Sequence, residues 1–529
     1  MLTQENYITI ADAVKLLKNK GISATSNKLI YLINYGRISS IKKDDKLMVS
    51  IKDIDVYYNN YSNNIVERYQ KKFGDDIDWH LSFMDVPQSE RTKHVHGIHP
   101  YKGKYIPQLV KYFLDEHTDE YKREVYFKPH DIVLDPFAGS GTTLIVANEL
   151  GINSIGIDIS KFNCMMMNAK LADYNLLMLK PVLYKYLNEL IKFSSSNFSS
   201  EHFQKLYESI NEYNLKYFKS PEYRRAIVSK HIDEKDYSNK IMDDFITENT
   251  KLIDDFKNYR RSNLNDNTFR SIWFSNRINR EIDYYLNLIK NEKDENIKTL
   301  MEVILSRAVR SCRSTTHSDL ATLVSPVNEP YYCVKHHRIC VPIDSIAGKL
   351  KSYTNDTIKR IMEFSDLKKD VKSIIVNANS ENVDLYKKYG DIKIENTCLR
   401  TRKMDGVFTS PPYVGQLDYY EQHEYAYDIF NIPKFSDDEQ IGIKKLGKGI
   451  KAREKYVKQI SGVLNNISKY LKDNGNIFIV ANDQFNLYPE IAKNSNMEII
   501  EIFKRPVLDR TEVDKQPYIE SIFHLKKLN

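Results

Sequence analysis

Between Lys128 and Ser160 the chain reads KPHDIVLDPFAGSGTTLIVANELGINSIGIDIS. Ile132, Val133 and Leu134 form a short continuous apolar run, the pattern of a strand buried on both faces of a parallel sheet. The run stops at Asp135-Pro136, and a glycine-containing loop follows. Thr142 to Leu150 predict a helix closed by Gly151, and Ser154 to Ile157 predict a second strand ending at Asp158. Strand, loop, helix and strand make one βαβ half of a doubly wound sheet. Such a sheet binds ligands beyond the carboxyl ends of its strands, where Asp135 and Asp158 both stand.

The residue types of the loop narrow the ligand. Gly139 and Gly141 permit a tight turn and let a ligand approach the backbone amides. Asp158 follows Asp135 by 23 residues. An acid ~20 residues on from such a loop typically bonds ribose hydroxyls, which points to a nucleoside cofactor. The spacing is not GxGxxG, and no P-loop lysine is followed by Ser or Thr. Asp135 would also repel a pyrophosphate. An acid there suits a cationic ligand, and S-adenosylmethionine carries both an ammonium and a sulfonium.

A second motif, TSPPY, spans Thr409 to Tyr413 directly after the apolar segment MDGVF. Pro411 and Pro412 stiffen the chain where it leaves a predicted strand, fixing Ser410 and Tyr413 at the ligand edge of the sheet. A rigid loop with acceptors and an aromatic ring suits a planar base bearing an amine. Such a base must leave the duplex before chemistry can reach it. The exocyclic amine shares its lone pair with the ring. Acceptors from Ser410 Oγ and the Pro411 carbonyl would draw its two hydrogens aside and aim the nitrogen at a methyl group, so most of the catalysis is positioning and electrostatics.

With both motifs in view, the chain resembles the amino-methylating DNA methyltransferases of bacterial restriction–modification systems. DPFAGSGTT is similar to their first motif, SIGIDIS to the second and TSPPY to the catalytic motif. HGIHPYKGKYIPQLV, residues 96–110, resembles the segment that closes over the methionine part of the cofactor, and it contains Tyr105. VNANS resembles the third motif with Asn379, or alternatively Asn377, facing the adenine. NGNIFIVANDQF resembles a later core strand. The resemblance implies S-adenosylmethionine held by Tyr105, Asp135, Pro136, Phe137, Gly139, Gly141, Thr142, Asp158 and Asn379. Within that set Asp135 meets the ammonium and Asp158 the ribose. It implies a flipped base held by Ser410, Pro411, Pro412 and Tyr413. In the family the Ser-Pro-Pro-Tyr form is most often associated with cytosine N4, and Asp in place of Ser with adenine N6. The implied partners are duplex DNA and a cognate restriction endonuclease, with the enzyme acting as a monomer.

The fold class expected is therefore α/β: a doubly wound Rossmann-like methyltransferase sheet, a large mostly helical insertion and a small N-terminal winged helix-turn-helix domain. The expected boundaries are 1–60 for that domain, 61–78 for a linker, 79–170 for the cofactor half, 171–370 for the insertion and 371–529 for the catalytic half. In the first stretch, Ile8, Ala11, Val14 and Leu17 recur at helical spacing, and a second helix ends at Gly36. RISSIKKDDKLMVS follows as a hairpin turning at Asp44-Asp45. TIADAVKLL and YGRISSIKKDDKLMVSIKDIDVYY resemble excisionase-type DNA-binding modules. The insertion falls before the third motif and is expected to read DNA.

The 529 residues are 41% hydrophobic and 28% charged, which excludes a disordered tail, a collagen-like fibre and a disulfide miniprotein. A net charge of +7 permits a nucleic-acid partner without demanding one. Arg307, Arg310 and Arg313 recur at three-residue spacing and suit phosphates or guanine edges. Lys448, Lys451 and Arg453 lie in the basic stretch KKLGKGIKAREKYVKQ and suit backbone phosphates. Cys333, His336, His337 and Cys340 are zinc-type ligands, but they lack paired CxxC or HxxxH spacing. They read as a packed loop, and no metal is assigned. Five scattered cysteines, no apolar leader and no long apolar run lead to the expectation of a cytoplasmic protein without membrane contact.

Overall fold

The computed structural model describes residues 7–528 apart from 21, 23, 35–37, 44–45, 199–202, 262–263, 265–266, 321–322, 396, 417 and 509–515, with only the backbone of 59–64 and 419. Seven strands form the central sheet: β1 Ile132–Asp135, β2 Asn153–Asp158, β3 Ser373–Asn377, β4 Met404–Thr409, β5 Leu471–Ala481, β6 Met497–Pro506 and β7 Ile519–Lys527. Their spatial order is 6-7-5-4-1-2-3, and β7 alone runs antiparallel to its neighbours β5 and β6. This mixed α/β architecture fits a Rossmann-like methyltransferase. The order reverses between β1 and β4, so a crevice opens at the carboxyl ends of those two strands.

Alternation along the strands explains why both faces are covered. Ile132 and Leu134 of β1, Val407 of β4, and Ile477 and Ile479 of β5 pack into one buried layer. Val133, Phe408, Phe478 and Val480 point the opposite way into another, together with Phe113 and Phe127. Successive side chains of a strand face opposite sides, so a strand buried on both must be apolar throughout. Gly406 of β4 has a close-packing role: a Cβ there would lie 2.3 Å from the Asn476 carbonyl oxygen and 2.9 Å from the Phe127 ring.

Helices Leu176–Asn197 through Ala347–Ser365 all lie between β2 and β3. Four of them, Leu176–Asn197, Asn276–Lys290, Glu295–Ser311 and Ala347–Ser365, share a core with Lys161–Leu171, the helix after β2. A separate apolar cluster, built around Leu206, Phe245 and Phe256, includes Ile339 of the short hairpin Tyr331–Cys333/Arg338–Cys340.

At the N-terminal end, helices Ile10–Asn19 and Ser26–Asn34 precede strands Ser40–Lys43 and Lys46–Ser50, which pair with Tyr7–Thr9 in a three-stranded antiparallel sheet. Gly36 and the Asp44-Asp45 turn lie outside the described residues. The polar stretch expected to be a linker from 61 is instead the second half of the helix Ile51–Phe73. Its Ser50 cap accepts from the Asp53 amide, and Tyr69 and Lys72 donate to the carbonyls of Val507 and Pro517. Those long-range bonds give a polar helix a tertiary reason to form. No helix among the described residues is long and apolar enough to cross a membrane, and all five cysteines are free.

Candidate active site

The crevice at the strand ends is a cleft open to solvent on one side. One wall comes from the loop after β1, with Pro136, Phe137, Gly139 and Thr142. Asp158 and Ile159 at the end of β2, Ala378 to Ser380 after β3, and Ser410 and Pro412 after β4 complete the strand-end contribution. Tyr101, Lys104 and Tyr105 cover it from the segment before β1. Two distant sequence motifs therefore share one cavity. Phe435, Glu439, Gln440 and Ile441 also line it, and no pattern in the sequence marks them.

The two candidate acids behave differently. Asp135 is 0% exposed and does not line the cleft. Its Oδ1 accepts from the Phe137 amide at 3.1 Å and the Thr409 hydroxyl at 2.6 Å. Its Oδ2 accepts from the hydroxyls of Tyr105 at 3.0 Å and Thr143 at 2.6 Å, which also touch each other. A carboxylate has about four acceptor places, and all are used. Asp135 therefore bonds the loop after β1 to Thr409 instead of facing the cleft, where a cofactor ammonium was expected to meet it. Burial raises its pKa, while the four donors pull it down.

Asp158 lines the cleft. It accepts from the amides of Gly139 (2.8 Å) and Ser160 (2.8 Å) and from Asn163 Nδ2 (3.0 Å), which leaves acceptor capacity facing the cavity. Burial pushes its pKa up to about 7, against those three hydrogen bonds, and nearby Asp135 adds to the upward push. Lys104 donates to the His96 carbonyl, and burial with help from Arg360 lowers its pKa to about 8. Gly139, at φ +52°, sits where a Cβ would press on Tyr101 at 3.0 Å. Gly141, at φ +82°, would meet Met167 at 2.8 Å and packs away from the cavity. Of the two asparagines after β3, Asn379 lines the cleft, whereas Asn377 donates to the carbonyls of Asp158 and Ile159.

The TSPPY loop is held at both ends. Thr409 bonds Asp135. The Tyr413 hydroxyl lies 3.4 Å from Ser410 Oγ and donates to Glu520 at 3.1 Å. Glu520 is held in turn by Arg505, which also donates to the Leu81 carbonyl. Burial, then the Glu520 charge, raises the Tyr413 pKa well above its ordinary value, so the hydroxyl stays protonated. Pro411 is buried. Tyr413 does not line the main cleft; it lines a smaller pocket behind it with Tyr456, Asp483 and Phe485.

A family profile described as DNA methylase (N6_N4_Mtase) matches residues 15–170. The Type II methyltransferase M.MjaII of Methanocaldococcus jannaschii is 45% identical over 522 residues, which is 98% of this chain and 96% of that protein. The chain belongs to the Type II DNA methyltransferases of the N4/N6 family. Shorter matches join it to M.MvaI of Kocuria varians, 33% identical over 114 residues (22% of this chain, 23% of the relative). M.BsoBI of Geobacillus stearothermophilus matches at 35% over 91 residues (17% and 16%). Methyltransferases of this family use S-adenosylmethionine as methyl donor and act on duplex DNA. The cleft suits that cofactor: one carboxylate has spare acceptor capacity, aromatic rings stand at Tyr101, Phe137 and Phe435, and Gly139 gives close backbone approach.

The arginines read as a DNA-contacting face are split by the methyltransferase fold. Arg307 is paired with Asp356 at 2.6 Å and lies over the Tyr353 ring. Arg313 is 5% exposed, donates to the carbonyls of Arg310 and Leu320, and stacks over Tyr425. Both are engaged within the protein: Arg307 lies in the helix Glu295–Ser311, which is packed on most sides, and Arg313 lies in the loop just past its end. Arg310 is half-buried, and its charge, with Arg313 and Lys444, adds to the burial that lowers the Lys102 pKa. Lys102, unmarked in the sequence, therefore stands in a positive region beside the cleft. Lys448 and Lys451 are exposed. Arg453 lies 3.7 Å over the Phe485 ring at the smaller pocket and donates to the Lys448 carbonyl. His423, in the helix after the TSPPY loop, is buried against Tyr101.

The Asp135 bonds yield a test. Asp135→Ala leaves the Phe137 amide and the Thr409 hydroxyl without an acceptor, at about 1–3 kcal/mol per stranded group, while Tyr105 and Thr143 keep each other and the Phe408 carbonyl as partners. Denaturant unfolding is expected to show a loss of roughly 2–6 kcal/mol. Asp135→Asn, which keeps one acceptor oxygen, is expected to lose less.

Proposed function

We propose that this chain is a DNA cytosine-N4 methyltransferase, the modification enzyme of a restriction–modification system. The observation that carries the reading is that Ser410 and Pro412 share one cleft with Gly139, Asp158 and Asn379. Bound S-adenosylmethionine supplies an electrophilic methyl group. In this reading Asp158 accepts from the ribose hydroxyls, Asn379 meets the adenine edge, and Tyr105, Pro136, Phe137, Gly139 and Thr142 shape the methionine and sugar walls. Ser410 Oγ and the Pro411 carbonyl accept the two hydrogens of the target amine, which restores lone-pair density on nitrogen and orients it. Pro412 keeps the loop rigid, and Tyr413 fixes Ser410 while presenting its ring to the smaller pocket. The N–C bond would form as the sulfur–methyl bond breaks, leaving a neutral thioether, and the proton lost from nitrogen would pass to solvent. Serine at the first position of the motif favours cytosine over adenine.

Lys448, Lys451, Arg453, Arg310 and Lys102 are the proposed phosphate contacts. The N-terminal helices and hairpin, with exposed Lys42, Lys43 and Lys46, are proposed as a winged helix-turn-helix that grips adjacent duplex. The enzyme acts as a monomer in the cytoplasm beside a cognate endonuclease.

Two measurements test the reading. Incubation of unmethylated plasmid with protein and S-adenosylmethionine, followed by nucleoside mass spectrometry, is expected to give N4-methylcytosine, with Ser410→Ala reducing it at least ~100-fold. N6-methyladenine in its place would refute the cytosine assignment. Calorimetry of cofactor binding tests Asp158. Hydroxyl donors favour the ionised carboxylate, so affinity should rise as pH increases through about 7. Asp158→Asn should bind more weakly with a flatter profile, and parallel profiles would remove Asp158 from the ribose.

A further inference from the structure

The hairpin Tyr331–Cys333/Arg338–Cys340 brings a second chemistry into the insertion. Its strands have three residues each, and a two-stranded hairpin of that size is marginal by itself. Its apolar anchorage is thin: Ile339 is its one buried contribution to the neighbouring helical cluster, with Tyr332 partly buried beside it. Polar clamps hold its outer side. Asn214 exchanges two hydrogen bonds with the Ile339 backbone, and Glu234 accepts from Tyr332 and His337.

On the other side, Cys333, His336, Cys340 and His317 converge, their four ligand-type atoms all within 4.8 Å of one another. His317 arrives from the loop after helix Glu295–Ser311, sixteen residues before Cys333. Cys333 Sγ is 3.6 Å from His317 Nδ1, and Cys340 Sγ is 3.5 Å from His336 Nδ1. A tetrahedral zinc with Zn–S of ~2.3 Å and Zn–N of ~2.0–2.1 Å sets neighbouring S and N ligands ~3.6 Å apart. The His317 and His336 rings lie 4.4 Å apart, tilted toward each other rather than stacked. Both sulfurs are on buried residues, at 1% and 9% exposure, which removes them from direct contact with DNA. His337, the adjacent imidazole, is turned away to Glu234 and does not compete.

We propose that His317, Cys333, His336 and Cys340 bind one zinc ion as a closed structural site, independent of the methyl-transfer reading. Two cysteine thiols lose their protons to solvent, and two Zn–S and two Zn–N bonds form. Two thiolates and two neutral imidazoles cancel the charge of the dication, so the centre can be buried. No ligand position is left for substrate, which makes the role structural. The metal staples the loop that carries Arg313 and His317 to the hairpin, and through the Asn214 and Glu234 clamps to the satellite helices. The Tyr331 hydroxyl lies 2.8 Å from His317 Nδ1 and would turn aside, or the imidazole would ligate through Nε2.

Elemental analysis of the full chain, purified under reducing conditions and dialysed, is expected to find about one zinc per chain. The double variant Cys333→Ser/Cys340→Ser should retain under a tenth of that, whereas Cys398→Ser, at a half-buried thiol elsewhere, should retain all of it. Replacement by Co2+ in the unmodified protein provides a readout that does not depend on how a variant folds. Tetrahedral d–d absorption with a thiolate-to-cobalt charge-transfer band is expected. A metal-free chain that takes up neither Zn2+ nor Co2+ at micromolar concentration would overturn the proposal. So would a Cys333–Cys340 disulfide in its place, or zinc that survives the double variant.

Discussion

One buried carboxylate organises the active end of this molecule. Asp135 leaves β1 into the interior and collects donors from four places: the Phe137 amide in its own loop, Thr143 in the following helix, Tyr105 before the strand and Thr409 at the end of β4. The loop that shapes the cofactor cleft and the loop that presents Ser410 are therefore fastened to the same side chain. A carboxylate can meet that demand because it accepts at every position and donates at none. The adjacent strands β1 and β4 bring the pieces together, and the alternation of apolar residues on both faces of the sheet fixes the register that does so.

Around that anchor the electrostatics are divided by exposure. Asp135 is saturated and inward, and Asp158 is outward with capacity to spare, so the latter is the acid available to a ligand. The far end of the TSPPY loop is secured by a second, partly buried acid, Glu520, which holds Tyr413 and is neutralised by Arg505. A loop of two prolines pinned by a carboxylate at each end has little freedom to rearrange. That rigidity suits a reaction in which alignment of an amine supplies much of the acceleration.

The βαβ pattern, the positions of the sheet strands and the convergence of DPFAGSGTT with TSPPY on one crevice are legible in the sequence, because apolar periodicity and loop chemistry are local properties. The direction in which a side chain leaves a strand end is not local. Asp135 has the residue type and position of a ligand-binding acid, and only the tertiary partners reveal that it is consumed internally. The surroundings of Arg307 and Arg313 are likewise not local. Their spacing suggests one face of a helix, but the helix ends at Ser311 before Arg313, and around Arg307 it is apolar on most sides, with Leu300, Met301, Val303, Ile304, Leu305, Ala308 and Val309 all buried, the pattern of a core helix. The polarity of residues 61–78 suggests a linker, because the bonds to Val507 and Pro517 that support the helix through Phe73 come from the other end of the chain. Cys333, His336 and Cys340 were visible, but the residue that completes their cluster is His317; Cys312, the nearest thiol upstream, packs instead against the Ser345 carbonyl.

The central claim is that Asp135 couples cofactor loop to catalytic loop, and Thr409→Val tests it with least disturbance. The substitution keeps the shape of a β-branched residue and removes only the hydroxyl that reaches Asp135. Single-turnover methylation of duplex DNA, with S-adenosylmethionine binding measured in parallel, is the measurement. The account predicts a binding constant within about twofold of the parent and a transfer rate lower by tenfold or more, about 1.4 kcal/mol in the barrier. An unchanged transfer rate in the folded variant would contradict it.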